Sequence, residues 1–115
     1  MTSTKIYYYL TPSGENVVRE FILSLQKPQQ AKIRRVLQLI NDYGLIAANP
    51  HIKKLIGTPF WEIRILGRDN LRILYVVPNL DSILLLHGFN KKTKKTPTKE
   101  IQTAINRYSE WQSNH

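Results

Sequence analysis

Two short runs, Phe60-Trp61-Glu62-Ile63-Arg64-Ile65 and Leu71-Arg72-Ile73-Leu74-Tyr75-Val76, alternate in a way that few folds can satisfy. Successive strand side chains point to opposite faces, so Trp61, Ile63 and Ile65 share one face while Glu62 and Arg64 share the other. Leu71, Ile73 and Tyr75 form the matching apolar set of the second run, with Arg72, Leu74 and Val76 opposite. Between the runs, Gly67-Arg68-Asp69-Asn70 is turn-forming. A turn centred on Arg68 pairs Ile63 with Ile73 and Ile65 with Leu71, so that the apolar sets meet. The same register sets Arg64 directly opposite Arg72, with one face core and the other charged.

Like charges across a strand pair repel. A phosphate between the two guanidiniums offsets that repulsion, because each planar fork offers two hydrogen bonds to phosphate oxygens. The alternative is Glu62, which neutralises one arginine within an ordinary salt-bridged sheet surface. The loop carrying Lys91, Lys92, Lys94 and Lys95 follows the next strand and either borders this face or stands apart as a solvated basic segment. Overall the chain holds 17 Lys+Arg against 8 Asp+Glu, a net charge of +9. Such an excess suits a polyanion binder and is otherwise costly through self-repulsion. Residues 51–115 carry eleven of the basic and five of the acidic side chains, which makes that part the better place to look for an anion site.

The remaining elements follow from periodicity. Lys5–Leu10 suits a first strand, closed by Thr11-Pro12-Ser13-Gly14. Val17, Val18, Phe21, Ile22 and Leu25 recur at helical spacing until Lys27-Pro28. A second helix is expected from Ala31 to Tyr43, with Gly44 at its end. Ala47–Pro59 is expected to be a surface connection, and Phe60–Leu66, Leu71–Pro78 and Ser82–Phe89 three strands of an antiparallel meander. Thr96 offers a capping hydroxyl to a terminal helix that begins at Pro97 and presents Ile101, Ala104, Ile105 and Tyr108 on one face. The expected fold is α+β, in the order β-α-α-β-β-β-α, with a helical hairpin on a four-stranded, mostly antiparallel sheet. At 115 residues the chain fits one domain, 1–115.

Several chemistries are excluded or weak. With no Cys there is no thiolate nucleophile, disulfide or zinc ribbon. His51, His87 and His115 lack metal-ligand spacing, and no phosphate-cradling glycine motif is present. His87 alternates with Leu84 and Leu86, so it joins either the core set or the edge of the charged face. Tyr7, Tyr8 and Tyr9 are sheet-packing residues first and base-stacking candidates second, while Trp61 and Trp111 suit core or helix docking. No apolar run approaches the roughly 20 residues that span a bilayer, nor does Met1–Lys5 lead into a signal-peptide core. A cytoplasmic protein without membrane contact is expected.

Taken in order, four segments resemble the RelE/HigB-like toxins of bacterial toxin–antitoxin modules, within the phage-derived Gp49-like branch. These are Ile52-Lys53-Lys54-Leu55, Trp61-Glu62-Ile63-Arg64, Leu71-Arg72-Ile73-Leu74-Tyr75, and His87 through Pro97 with Glu100-Ile101. The resemblance covers nearly the whole chain. It implies a metal- and cofactor-free endoribonuclease that cuts message in the ribosomal A site, using the RNA's own 2′-OH as nucleophile. It further implies that Arg64 and Arg72 hold the scissile phosphate, and that Lys91 or Lys92 stabilises charge or protonates the leaving oxygen. Lys53, Lys54, Arg68, Lys94 and Lys95 would bind message or 16S ribosomal RNA backbone, and the partner would be a HigA-like helix-turn-helix antitoxin. Many relatives carry lysine where Glu62 stands. The general base is therefore open between Glu62, His87 and a lysine of lowered pKa. Two other functions remain: a ParE-like gyrase inhibitor acting through the helical hairpin, and a non-catalytic basic nucleic-acid-binding module.

Overall fold

The chain runs β1 (Lys5–Tyr8), α1 (Val17–Leu23), α2 (Lys27–Tyr43), β2 (Ile52–Lys54), β3 (Trp61–Ile65), β4 (Leu71–Asn79), β5 (Ser82–Asn90) and α3 (Thr98–Ser113) in the computed structural model, which describes residues 3–65 and 70–115. Antiparallel β3 and β4 take the register that their apolar sets require. Ile63 faces Ile73, Ile65 faces Leu71, and Arg64 lies opposite Arg72. The turn around Arg68 lies outside the described residues.

Among the described residues the sheet has five strands rather than four, in the order β1-β5-β4-β3-β2. The extra strand, β2, comes from the segment expected to be irregular. It is only three residues long and pairs Ile52, Lys53 and Lys54 with Ile63, Glu62 and Trp61. A piece this short between Pro50 and Gly57 shows no alternation of its own, so its strand character comes from its neighbour. β1 joins the far side of β5 in parallel, making the sheet mixed.

The helical hairpin covers one face. Asn16 caps α1 by accepting a hydrogen bond from the Arg19 backbone N–H at 3.0 Å. α2 starts at Lys27, four residues earlier than its apolar spacing indicates, because Pro28 is tolerated in a first turn whose N–H groups have no helical partner. It stops at Gly44, whose φ of 90° belongs to the left-handed region. Ile33, Val36, Leu37 and Ile40 of α2 pack with Val18 and Ile22 of α1 on Ile63, Ile73, Tyr75 and Leu85. Each fully buried Ile or Leu contributes about 2 kcal/mol through burial.

The opposite face is charged over only part of its area. Leu74, Val76, Leu84 and Leu86 form a second core with Phe60 and Phe89, covered by Ala104, Ile101, Tyr108 and Trp111 of α3. This second layer is possible because the register shifts at Leu74/Tyr75, opposite Leu85 and His87. The bulge directs both Leu86 and His87 towards α3, so strict alternation fails there. Gly88 then faces α1 so closely that a Cβ would lie 2.3 Å from Phe21 Cδ2.

Two substitutions test this packing by urea unfolding. Gly88→Ala is expected to cost about 1–3 kcal/mol, the range for overpacking a filled core; a midpoint like that of wild type would contradict the close approach of α1 to β5. Tyr75→Phe is expected to leave stability unchanged or raise it, because the Tyr75 hydroxyl is buried without a hydrogen-bond partner among the described residues.

Candidate active site

The charged part of the sheet lies towards β2, where α3 no longer covers it. Glu62 is only 1% exposed. Its cross-strand neighbours are Lys53 on β2 and Leu74 on β4, which places Arg72 diagonally across from it. Glu62 Oε1 lies 3.8 Å from Arg72 Nε, and its Oε2 accepts a hydrogen bond from the Thr96 hydroxyl. Thr96 is therefore no helix cap: α3 begins after Pro97 without a side-chain cap, and the Thr96 hydroxyl serves the buried carboxylate instead.

The two facing arginines are unlike. Arg72 is 4% exposed, and its Nη1 donates to the Leu71 carbonyl at 3.0 Å. Burial lowers its proton affinity, Glu62 opposes that shift, and Arg64 adds to it. Arg64 is half-buried and, among the described residues, has no carboxylate partner. Cross-strand repulsion is thus met as the Glu62 alternative foresees for one arginine, while the other keeps an uncompensated charge.

A cleft of about 470 Å³ opens above Glu62, lined by Lys53, Lys54, Lys91, Lys94 and Lys95 with Thr96 at its foot. The loop after β5 therefore borders the charged face. Lys91 is anchored through its backbone N–H, which donates to the Asn70 carbonyl at 3.0 Å. Its ammonium is pushed below the usual lysine range, chiefly by burial; Glu62 opposes the shift, and Arg72, Lys53 and Arg64 reinforce it. Lys92, Lys94 and Lys95 are exposed. Lys54 is less free, because its Nζ donates to the carbonyls of Leu55 and Thr58 and so closes the β2–β3 turn. Arg68 lies outside the described residues. Among the described residues no group of His, Asp and Glu is arranged to hold a metal ion.

His87 belongs elsewhere. Arg107 Nη1 donates to the Leu86 carbonyl at 2.8 Å and lies 3.2 Å from His87 Nδ1, while His87 Nε2 lies 2.7 Å from Glu100 Oε1. These contacts fit a neutral imidazole that accepts at Nδ1 and donates at Nε2. Two α3 residues, two turns apart, thereby hold the β5 bulge. Burial lowers the proton affinity of His87, against the pull of Glu100. The tyrosines divide similarly: Tyr9 is buried and donates to Glu110 at 2.7 Å, while Tyr7 is 52% exposed.

A family model described as phage-derived protein Gp49-like matches residues 20–109, a span that includes every side chain of the cleft and both facing arginines. No curated protein matches the chain.

Glu62→Gln is expected to destabilise the fold by about 3 kcal/mol, since it leaves the buried Arg72 charge without its counter-ion. Thr96→Val should cost about 1 kcal/mol through the lost hydrogen bond. Both are measurable by urea unfolding at neutral pH. The His87 contribution has a defined sign: with a folded pKa below the unfolded value of 6.5, its stabilisation is fully present above that pH. It is lost as pH falls, because the unfolded chain takes up the proton first. Between pH 7.5 and 5.0, wild type should lose more stability than His87→Gln; equal losses would contradict a neutral, partly buried His87.

Proposed function

The chain belongs to the phage-derived Gp49-like family, a toxin-like family, and on that premise we propose that it is the toxin of a toxin–antitoxin pair and cuts translated message in the ribosomal A site. The observation that carries this reading is the gathering of Arg72, Lys53 and Lys91 about one buried carboxylate beneath a lysine-lined cleft, with Arg64 standing opposite Arg72 in the β3–β4 register. A phosphodiester is the anion that such a site suits. The exposed Lys53, Lys94 and Lys95 then take neighbouring phosphates of message or ribosomal RNA, as point charges without base preference.

The reaction needs the RNA's own 2′-OH, so DNA is not a substrate. The 2′-oxygen forms a bond to phosphorus and the P–O5′ bond breaks. One fragment ends in a 2′,3′-cyclic phosphate and the other in a 5′-hydroxyl. Arg64, half-buried and without a carboxylate partner among the described residues, forks the non-bridging oxygens and stabilises the charge that develops on them. Arg72 acts from beneath, fixed by Glu62 and the Leu71 carbonyl, and adds positive potential without rearrangement.

Proton transfer falls to the lysines. Glu62 is enclosed by Thr96 and Arg72, and both nitrogens of His87 face α3 partners. Lys91, with its lowered proton affinity, is the group suited to take the 2′-OH proton, and the adjacent Lys92 delivers one to O5′. A helix-turn-helix antitoxin would complete the pair.

Controlled induction in bacterial cells, with message 5′ ends mapped within minutes, tests the proposal. Wild type is expected to produce in-frame cuts inside translated regions. Arg64→Ala should reduce them by roughly 10²-fold or more, as loss of one charge-stabilising group does. Arg64→Lys should be nearly as damaging, because a point charge lacks the bidentate fork. Growth arrest by wild type and Arg64→Ala alike, with message intact, would overturn the nuclease and direct attention to gyrase.

A further inference from the structure

A second cleft, of about 460 Å³, lies between α2 and the end of β3. Its apolar floor is Val36, Leu39 and Ile65, and its cationic rim is Lys32, Arg35 and Arg64. Lys32 and Arg35 stand three residues apart and share one face of α2. Both are exposed and, among the described residues, neither has a carboxylate partner. His51 completes the wall, held to β3 by its carbonyl, which accepts from the Arg64 backbone N–H at 2.6 Å. Among the described residues no acidic side chain lines this cleft.

We infer that this cleft is a nucleotide subsite, taking one base of the RNA against the Val36–Leu39–Ile65 floor and its phosphate between Lys32 and Arg35. The inference rests on the nuclease proposed above and extends it. Three features select a nucleotide. The volume lies within the range of small-ligand pockets, whereas a helix docked in a groove needs anchors spread over two turns. An apolar floor beneath a cationic rim matches a base joined to a phosphate. Above all, Arg64 links the two places: it lines this cleft, and it stands directly opposite Arg72 in the β3–β4 register, with Lys91 near enough to feel its charge. A strand whose scissile phosphate sits on Arg64 therefore meets a base pocket one nucleotide further along. Base preference at that position would then arise in this pocket rather than among the lysines.

The test titrates isotopically labelled protein with an uncleavable 2′-O-methyl trinucleotide, followed by amide NMR shifts at low salt. Shifts are expected at Lys32, Leu39 and His51 as well as at Lys53 and Lys91. The exposed pair Lys32→Glu/Arg35→Glu, confirmed folded by circular dichroism, should bind roughly tenfold more weakly or worse and lose the α2 shifts while retaining those of the lysine cleft. Wild-type shifts confined to the lysine cleft would overturn the subsite. So would an acidic peptide that perturbs the α2 residues at lower concentration than the trinucleotide. The same variants are compared in the cell-based mapping of message ends. Cuts by wild type, together with unchanged position and frequency in the double variant, overturn the subsite and leave the nuclease standing. Shifts at α2 with no cuts by wild type retain an RNA-binding cleft and overturn the nuclease.

Discussion

A single buried carboxylate organises the charged part of this molecule. Glu62 lies beneath a crowd of cations, with a guanidinium 3.8 Å away and a threonine hydroxyl on its other oxygen. Removing a carboxylate from water is costly, and its attraction to a nearby cation offsets that cost only when its remaining lone pairs are also satisfied. Arg72 supplies the cation, and the Thr96 hydroxyl supplies a hydrogen bond to the other carboxylate oxygen. In return Arg72 can stay charged in a place where burial disfavours it. The sheet can therefore carry two arginines face to face, one enclosed and one left available.

Available cations need a rigid support, and the two cores provide one. The helical hairpin fills one face of the sheet while α3 covers half of the other. The uncovered half is where Arg64, Lys53 and Lys91 stand. The α3 contacts with the bulge, through Glu100 and Arg107, set where that covering ends. The positions of the cations thus depend on the polar ties beneath α3 as well as on the strands that carry them.

Much of the fold was legible because the β3–β4 hairpin obeys period two without exception. Its register, and with it the meeting of Arg64 and Arg72, depends only on which residues are apolar. Legibility failed where a tertiary partner overrode a local preference. β2 is a strand because Lys53 and its neighbours pair with β3, and three residues are too few to announce it. Thr96 carries every local mark of a helix cap, yet a carboxylate thirty-four residues away competes better for its hydroxyl. His87 could not be assigned to a face because alternation changes phase at the bulge, and that change is stabilised from α3. Of the lysines, Lys54 is held to its own turn through carbonyls whose geometry no spacing reveals. Lys32 and Arg35 carry no signal in the sequence for another reason: they are ordinary exposed helix positions until the β3 end is brought beside them.

The parallel pairing of β1 with β5 has a consequence in time. Lys5 to Tyr8 pair with Ser82 to Leu85, so well over half of the chain separates the two strands. The meander from β2 to β5 closes through short connections, whereas this edge requires a very large loop to close first. During synthesis β1 leaves the ribosome long before its partner exists. Its backbone groups wait in solvent until residue 85 has emerged, and the hairpin of α1 and α2 crosses a sheet that is still incomplete. A strand made early is thus among the last to find its place.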